Sequence, residues 1–145
     1  MKVNSIIRKL NWFYTLEKNQ VDLYTSQSQH VENIYIKKTL KRVSLIEQKH
    51  VENIADMLNT LGTRPSLIGD VLGPRLGKIS GKVTGKLKTS TFLKINVALE
   101  KKAMADYKKF ISQIKGKGTL KELLWAHLID EDLHAAWFTN KSNSL

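Results

Sequence analysis

The sequence predicts an all-α protein, a four-helix bundle with a long crossover, about residues 63–88, between its second and third helices. Two observations lead to this prediction. Only two prolines occur, and six of the eight glycines lie between Gly62 and Gly85, so long helix-compatible stretches flank one interrupted middle segment. No stretch alternates apolar and polar residues as a strand does. The 145 residues, 41% of them hydrophobic, are enough for one domain over residues 1–145 with a buried core.

The first two helices are predicted over residues 5–28 and 31–60, because apolar residues recur there at the spacing of a helix face. The polar run 26–30 between them is predicted as a tight reversal. Gly62 follows the second helix where a C-terminal cap glycine is expected, and Pro65 marks the end of the helix.

The third and fourth helices are predicted over residues 90–114 and 120–138, on either side of a turn that contains two glycines. Thr119 is predicted as the N-cap of the fourth helix, with Glu122 at the third helical position of a capping box. The last residues, 140–145, are predicted as a frayed tail.

Two of the predicted helices carry the motif Glu-x-x-His, at Glu47 and His50 in the second and at Glu131 and His134 in the fourth. Three residues are close to one helical turn, so each pair projects from one face of its helix. Each of the other two helices has one glutamate among apolar neighbours. A charged carboxylate that faces a core costs several kcal/mol unless it is paired or bound to a cation. The motif residues and these glutamates are Glu17, Glu47, His50, Glu100, Glu131 and His134.

One glutamate from each of two helices, together with Glu-x-x-His from each of the other two, is the di-iron carboxylate pattern. We therefore expect the six side chains to meet in the bundle core and to hold two metal ions. Carboxylate and imidazole ligands suit Fe or Mn, and the absence of cysteine excludes thiolate sites. The alternative is a set of solvated Glu and His side chains on basic helices.

Three further residues bear on this site. Asp130, directly before Glu131, is a candidate hydrogen-bond partner for His50, or else an ordinary exposed acid. The corresponding residue before Glu47 is Ile46, so the two metal positions would differ in their surroundings. His127 is expected near the site but, like His30 in the predicted turn, not as a ligand.

The chain resembles the ferritin-like superfamily and, within it, the demethoxyubiquinone hydroxylase family of ubiquinone biosynthesis. Glu17 is followed by Tyr24 and Gln27, which is similar to the first-helix signature of that family. Glu47 follows Glu17 by 30 residues and Glu100 follows Glu47 by 53, also as in the family. The resemblance covers about residues 10–138, but the middle segment here is more basic than in the family.

The resemblance implies a role for each site residue. Glu17 and Glu100 would be terminal ligands, and Glu47 and Glu131 would bridge two Fe ions, with Mn as an alternative. His50 and His134 would each bind one ion. Tyr24 would be the catalytic side chain, as a hydrogen-bonding or electron-passing group near the metals, with a packed core tyrosine as the alternative.

The resemblance also implies a function, that of an oxidoreductase that activates O₂ or peroxide, similar to a quinone-ring hydroxylase. The expected substrate is a small molecule, namely a quinone, O₂ or peroxide. An iron-handling or peroxide-defence protein without a quinone substrate is the alternative.

The net charge of +11 and the middle segment bear on partners. In segment 66–90, apolar residues recur every three or four positions with lysines between them, as in a helix that lies on a membrane surface. Packing against the bundle and a homodimer contact are the alternatives. Nucleic acid is not an expected partner, because no reading helix or aromatic platform is recognisable. The start of the chain lacks the apolar core of a secretory signal, so we expect a cytoplasmic protein, with the inner face of the cell membrane as a site of contact.

Overall fold

The computed structural model describes residues 1–69, 71 and 88–145. Within these residues the regular elements are four helices, and no strand occurs. They are α1 (Val3–His30), α2 (Ile34–Thr60), α3 (Thr89–Gln113) and α4 (Thr119–Asn143). Helix α1 packs mainly against α2, and α3 mainly against α4, so the bundle consists of two helical hairpins. The predicted all-α bundle with its long connection between the second and third helices is confirmed.

The reversal between α1 and α2 lies later than predicted. Residues 26–30, expected to form it, are the last turn of α1, and Gln27 and Ser28 are buried there. The chain reverses over residues 31–33, where Asn33 caps α2 by accepting a hydrogen bond from the backbone N–H of Ile36 at 3.1 Å. These polar residues therefore form the last turn of a helix, and not a loop, and two of them enter the core.

The end of α2 is as predicted. Gly62 adopts a left-handed φ of +83° directly after the last turn. Its N–H bonds to the carbonyl of Asn59 at 3.0 Å, and the N–H of Thr63 bonds to that of Leu58 at 3.1 Å, which is the Schellman pattern. The start of the crossover then follows α1, because the N–H groups of Ser66 and Ile68 bond at 2.8 Å to the side chains of Asn11 and Thr15.

Most of the crossover, residues 70 and 72–87, lies outside the described residues. Most of the apolar positions and lysines of segment 66–90 therefore lie outside the described residues. Over the part of the chain that the structure does describe, no helix combines the length and apolar character needed to cross a membrane.

Both ends of α4 differ from the prediction. Thr119 is the first helical residue and not the cap. Gly118 takes the cap position in an extended conformation, its carbonyl accepts from the N–H of Glu122 at 3.0 Å, and no side chain caps the helix. The expected frayed tail is helical to Asn143, and Ser142 is buried, so packing continues to the last turn.

Aromatic rings form much of the apolar core at one end of the bundle. Phe13 of α1 stacks on Tyr107 of α3, with ring centroids 4.1 Å apart, and on Phe110 at 5.7 Å. Toward the other end of α1, Tyr24 packs against Phe138 of α4 at 5.4 Å. Between these aromatic contacts the core is polar, and this polar layer contains the side chains predicted to hold metal.

Candidate metal centre

All six predicted metal-ligand residues are buried, and the bundle brings them together. Each helix carries its predicted ligand residues on the face that points into the bundle. In α2 and α4 the Glu-x-x-His spacing turns glutamate and histidine toward the same side, as expected from the helical repeat. They form two groups in which candidate ligand atoms all lie within 4.8 Å of one another.

The first group contains Glu17, Glu47, His50 and Glu131. His50 is its centre. The Nδ1 atom of His50 lies 3.1 Å from Glu47 Oε2, 3.2 Å from Glu131 Oε1 and 3.4 Å from Glu17 Oε2. Three carboxylates from three helices thus face one imidazole nitrogen.

The second group contains Glu47, Glu100, Glu131 and His134. His134 Nδ1 lies 3.2 Å from Glu47 Oε1 and 3.6 Å from Glu100 Oε1. Glu47 and Glu131 belong to both groups, and Glu47 faces His50 with Oε2 and His134 with Oε1. This is the placement that a bridging ligand requires, whereas Glu17 and Glu100 each belong to one of the two groups.

Burial, followed by repulsion between carboxylates, raises the pKa values of three of the four glutamates. Burial and the neighbouring Glu131 and Glu17 raise the pKa of Glu47 to about 8. Burial and Glu47 raise the pKa of Glu100 to about 7. Burial and the charges of Glu100 and Glu17 also raise the pKa of Glu131 well above its ordinary value. The metal-free cluster therefore retains protons that divalent ions would displace.

The two histidines and Glu17 instead keep their charged forms. Burial alone would lower the pKa of His134, but hydrogen bonds to Glu100 and Glu47 raise it to about 11. Burial likewise opposes a charge on His50, but Glu17 and Asp130 raise its pKa well above the ordinary value. For Glu17, burial raises the pKa, but the charge and hydrogen bond of His50, together with Glu47 and His127, lower it to about 2. Protonated imidazole thus offsets part of the carboxylate charge.

The donor set fits two divalent ions. Each of the six residues has one buried side-chain atom that makes no hydrogen bond among the described residues, although three of these atoms lie at ion-pair distance from a fourth, His50 Nδ1. Leaving a buried polar atom unpaired costs about 1–3 kcal/mol. Four carboxylates and two imidazoles offer oxygen and nitrogen donors, and two divalent cations would neutralise the four negative charges. The atoms without partners are Glu17 Oε2, Glu47 Oε2, His50 Nδ1, Glu100 Oε2, Glu131 Oε1 and His134 Nε2.

The two histidines differ in their outer contacts. Asp130 Oδ2 lies 2.8 Å from His50 Nε2, so the proposed hydrogen bond forms and orients the ring with Nδ1 toward the carboxylates. This hydrogen bond also lowers the pKa of Asp130. His134 Nε2 has no such partner among the described residues. The asymmetry predicted from Asp130 and Ile46 is therefore present.

Tyr24 lies at the centre. Its O–H donates to Glu100 Oε1 at 2.7 Å, so the ring is both packed in the core and bonded to a predicted ligand. Tyr107 makes the matching contact with Glu17 Oε1 at 2.6 Å, and sequence reasoning missed it. A signal was available, because each tyrosine follows a predicted ligand by seven residues, which is two helical turns.

His127 lies beside the centre as expected. Its ring stacks on that of His50, with centroids 3.9 Å apart. Its Nδ1 lies 3.1 Å from the Tyr107 hydroxyl, and its Nε2 lies 3.3 Å from the Asn53 amide nitrogen. Since both ring nitrogens have partners, His127 differs from the predicted ligands. Burial and the charge of His50 lower the pKa of His127 to about 3, so the ring is neutral. His30 is exposed at the end of α1.

Comparisons with known proteins agree with this architecture. A family model described as Ubiquinone biosynthesis protein COQ7 matches residues 17–137. No curated protein sequence matches the chain.

Several solved structures share the fold. Bacterioferritin of Desulfovibrio desulfuricans, described with a diiron site, aligns with a TM-score of 0.81 and 18% identity over 97% of this chain and 80% of that one. The dodecameric thioferritin, a bacterioferritin-related protein of Bacteroides fragilis, aligns with a TM-score of 0.79 and 21% identity over 97% and 85%. The manganese catalase KatB of Anabaena aligns with a TM-score of 0.72 and 21% identity over 94% and 73%.

Proposed function

The chain belongs to the family of the Ubiquinone biosynthesis protein COQ7, and on that basis we propose that it is a di-iron oxidoreductase that activates O₂ or peroxide. The observation that carries the proposal is the meeting of six buried Glu and His side chains from four helices in two overlapping groups. The family match and the fold shared with a diiron bacterioferritin support the same function.

In this proposal Glu47 and Glu131 would bridge two Fe ions, Glu17 and Glu100 would be terminal ligands, and each histidine would bind one ion. The bound ions would supply two electrons and open positions for O₂ or peroxide. The chain supplies the surroundings of the centre. Asp130 holds the His50 ring in place. Apolar packing at both ends of the polar layer restricts access of water.

Tyr24 is the proposed catalytic side chain. Its hydroxyl donates to a proposed ligand, Glu100, at 2.7 Å. Burial and the charge of Glu100 raise the pKa of Tyr24, so its hydroxyl keeps the proton that it donates to Glu100. This position suits a group that orients the ligand and passes an electron or a proton to the centre.

We propose a quinone ring as the substrate, in line with the family, so that the reaction is a hydroxylation of that ring. The alternative is an iron-handling or peroxide-defence protein that shares this fold, as bacterioferritin and manganese catalase do. Incubation of the Fe-loaded protein with a reductant, O₂ and demethoxyubiquinone distinguishes these two functions. A hydroxylated quinone supports the first function, whereas uptake of many more than two Fe per chain, or peroxide removal without quinone oxidation, supports the alternative.

Access of a lipid-soluble quinone is the reason to propose peripheral contact with a membrane through segment 66–90. Flotation with anionic liposomes tests this contact, and failure to float would contradict it. A homodimer, with that segment as a contact, is the competing proposal for the same residues, and the molar mass in solution tests it.

Anaerobic loading with Fe(II) followed by metal analysis tests the centre itself. We expect about two Fe per chain. Glu47→Ala and His134→Ala should each abolish loading, and the fold of Glu47→Ala should survive because one of the clustered carboxylates is removed. His30→Ala is the matched control, since this histidine is exposed at the end of α1. A parent chain that stays metal-free would refute the proposal, and normal loading in either variant would refute the ligand assignment.

A further inference from the structure

One buried polar side chain at the centre is not among the predicted ligands. Gln20 lies one turn after Glu17 on α1 and has no exposed surface. It belongs to a row of inward-facing polar residues on this helix that contact other helices. The row consists of Glu17, Gln20, Tyr24 and Gln27.

The two ends of the Gln20 amide are in different situations. Its Nε2 donates to Glu131 Oε2 over 3.4 Å, a long hydrogen bond. Its Oε1 has no partner among the described residues. Seven described residues have such an unpartnered buried side-chain atom, and the other six are the proposed ligands.

Because Gln20 shares this feature with the six proposed ligands, a purely structural role for Gln20 is a poor explanation. An unpaired buried amide oxygen costs about 1–3 kcal/mol, and an apolar side chain of the same shape would avoid that cost. Gln27, two turns along the same helix, shows what a structural glutamine looks like here. It exchanges two hydrogen bonds with Asn96, at 2.9 and 2.7 Å, so both ends of its amide are satisfied.

We propose that Gln20 is a hydrogen-bonding residue of the metal centre, whose amide nitrogen holds Glu131 while its carbonyl oxygen accepts a hydrogen bond from water on the ions. The inference rests on the proposed metal site. Water on a divalent ion is a strong donor, because the cation makes its protons more acidic. The carboxylates are needed as ligands, so a neutral oxygen without another partner is a suitable acceptor. Gln20 thus acts through Glu131 and metal-bound water, as a positioning residue.

Co²⁺ titration of the metal-free protein tests this role without reference to activity. Gln20→Met keeps the length of the side chain and removes both hydrogen bonds. We expect little change in Tm without metal, because the lost hydrogen bond to Glu131 is long, at 3.4 Å, and an unpaired polar atom is removed with it. Co²⁺ affinity should fall about 10- to 100-fold, as is typical for outer partners of metal ligands, and the visible Co²⁺ spectrum should change.

Gln27→Met is the matched control. It should lower the metal-free Tm, because it leaves Asn96 without its partner, and it should leave the Co²⁺ spectrum as in the parent. Gln20→Asn keeps the amide but shortens its reach, so it should also weaken Co²⁺ binding and supplies the answer if Gln20→Met fails to fold.

Parent-like Co²⁺ affinity and spectrum in the folded Gln20 variants would overturn the role of Gln20 and leave the proposed function standing. A parent chain that binds no Co²⁺ would overturn the proposed function and this role with it.

Discussion

Tyr24 and Tyr107 form a reciprocal pair at the centre. Tyr24 of α1 donates to Glu100 of α3, and Tyr107 of α3 donates to Glu17 of α1. Each tyrosine therefore fixes the glutamate that lies two turns before the other tyrosine. The pair joins the two hairpins independently of any metal, and it restrains the two proposed terminal ligands.

Removing one of these hydroxyls should weaken the fold. Tyr107→Phe leaves a buried oxygen of the charged Glu17 without its donor at 2.6 Å. We expect the free energy of unfolding of the metal-free protein to fall by about 2 kcal/mol, as for a hydrogen bond to a charged group. Denaturant titration measures it. Tyr35→Phe is the control, since this ring is 60% exposed. Equal stability of both variants would contradict the assigned hydrogen bond.

The shifted pKa values predict how the metal-free protein responds to pH. Folding raises the pKa of Glu47 from 4.5 to about 8 and that of Glu100 to about 7, and it raises that of His134 from 6.5 to about 11. The folded protein therefore binds these protons more tightly than the unfolded chain. The stability they contribute is complete below the unfolded pKa values and is lost as pH rises through the folded ones. Glu17 shifts the other way, but its contribution is lost only below pH 4.5.

The Tm of the metal-free protein should therefore fall between pH 6 and pH 9. Metal binding displaces the same protons, so metal affinity should rise over this range. Thermal scans in chelator and Co²⁺ titrations at matched pH measure the two trends. A metal-free Tm that rises from pH 6 to pH 9 would contradict the assigned charge states.

At the scale of single residues, the sequence was sufficient to predict those site residues that have a distinctive spacing. Two Glu-x-x-His motifs and one isolated glutamate per remaining helix predicted the six that converge. Gln20 was missed because one polar residue on an apolar helix face has no characteristic spacing, whereas Tyr107 repeats the seven-residue spacing of Tyr24 from a predicted ligand and could have been found. Their importance depends on which atoms of another helix they meet, and only the packed bundle determines that.

Among the helices, α1 shows how a local sequence pattern can misplace the end of a helix. Its last turn is polar, and polar runs between apolar segments usually indicate loops. Here Gln27 is buried because Asn96, 69 residues away, satisfies both ends of its amide. Nothing local in the sequence reveals that pairing. The end of α2 was predictable because a left-handed glycine cap is a local requirement that Gly62 meets by itself.

Gly62→Ala tests that cap. A side chain at Gly62 meets nothing within 4 Å, so only the left-handed φ of +83° opposes it. We expect a loss of about 1–2 kcal/mol in the free energy of unfolding, measured with denaturant. Gly118→Ala is the control, because its backbone is extended and its surroundings are equally open. A neutral Gly62→Ala would show that the Schellman turn does not constrain the end of α2.

On the scale of the whole molecule, the predicted ligands are divided equally between the hairpins. Glu17, Glu47 and His50 come from α1 and α2, whereas Glu100, Glu131 and His134 come from α3 and α4. Both ligand groups include residues from both hairpins. Bound ions would therefore connect the halves, in addition to the apolar core.

Metal should consequently stabilise the fold as a whole. A ligand at 100 times its dissociation constant adds about 2.7 kcal/mol to the free energy of unfolding. We expect Tm to rise on loading with Co²⁺ and to return on addition of a chelator. The rise should be absent in Glu47→Ala. An unchanged Tm at saturating Co²⁺ would argue that the ions bind outside the bundle core.

The equal division between hairpins also means that no proposed ligand lies between residues 70 and 88. Cleavage of the backbone there would yield two fragments, each with three of the proposed ligand residues. Neither fragment could complete an ion site by itself. The nicked protein should elute as a single species while loaded, and its fragments should separate more readily once a chelator has removed the ions. The bound cations would then hold the two hairpins together, as the continuous backbone does in the intact protein.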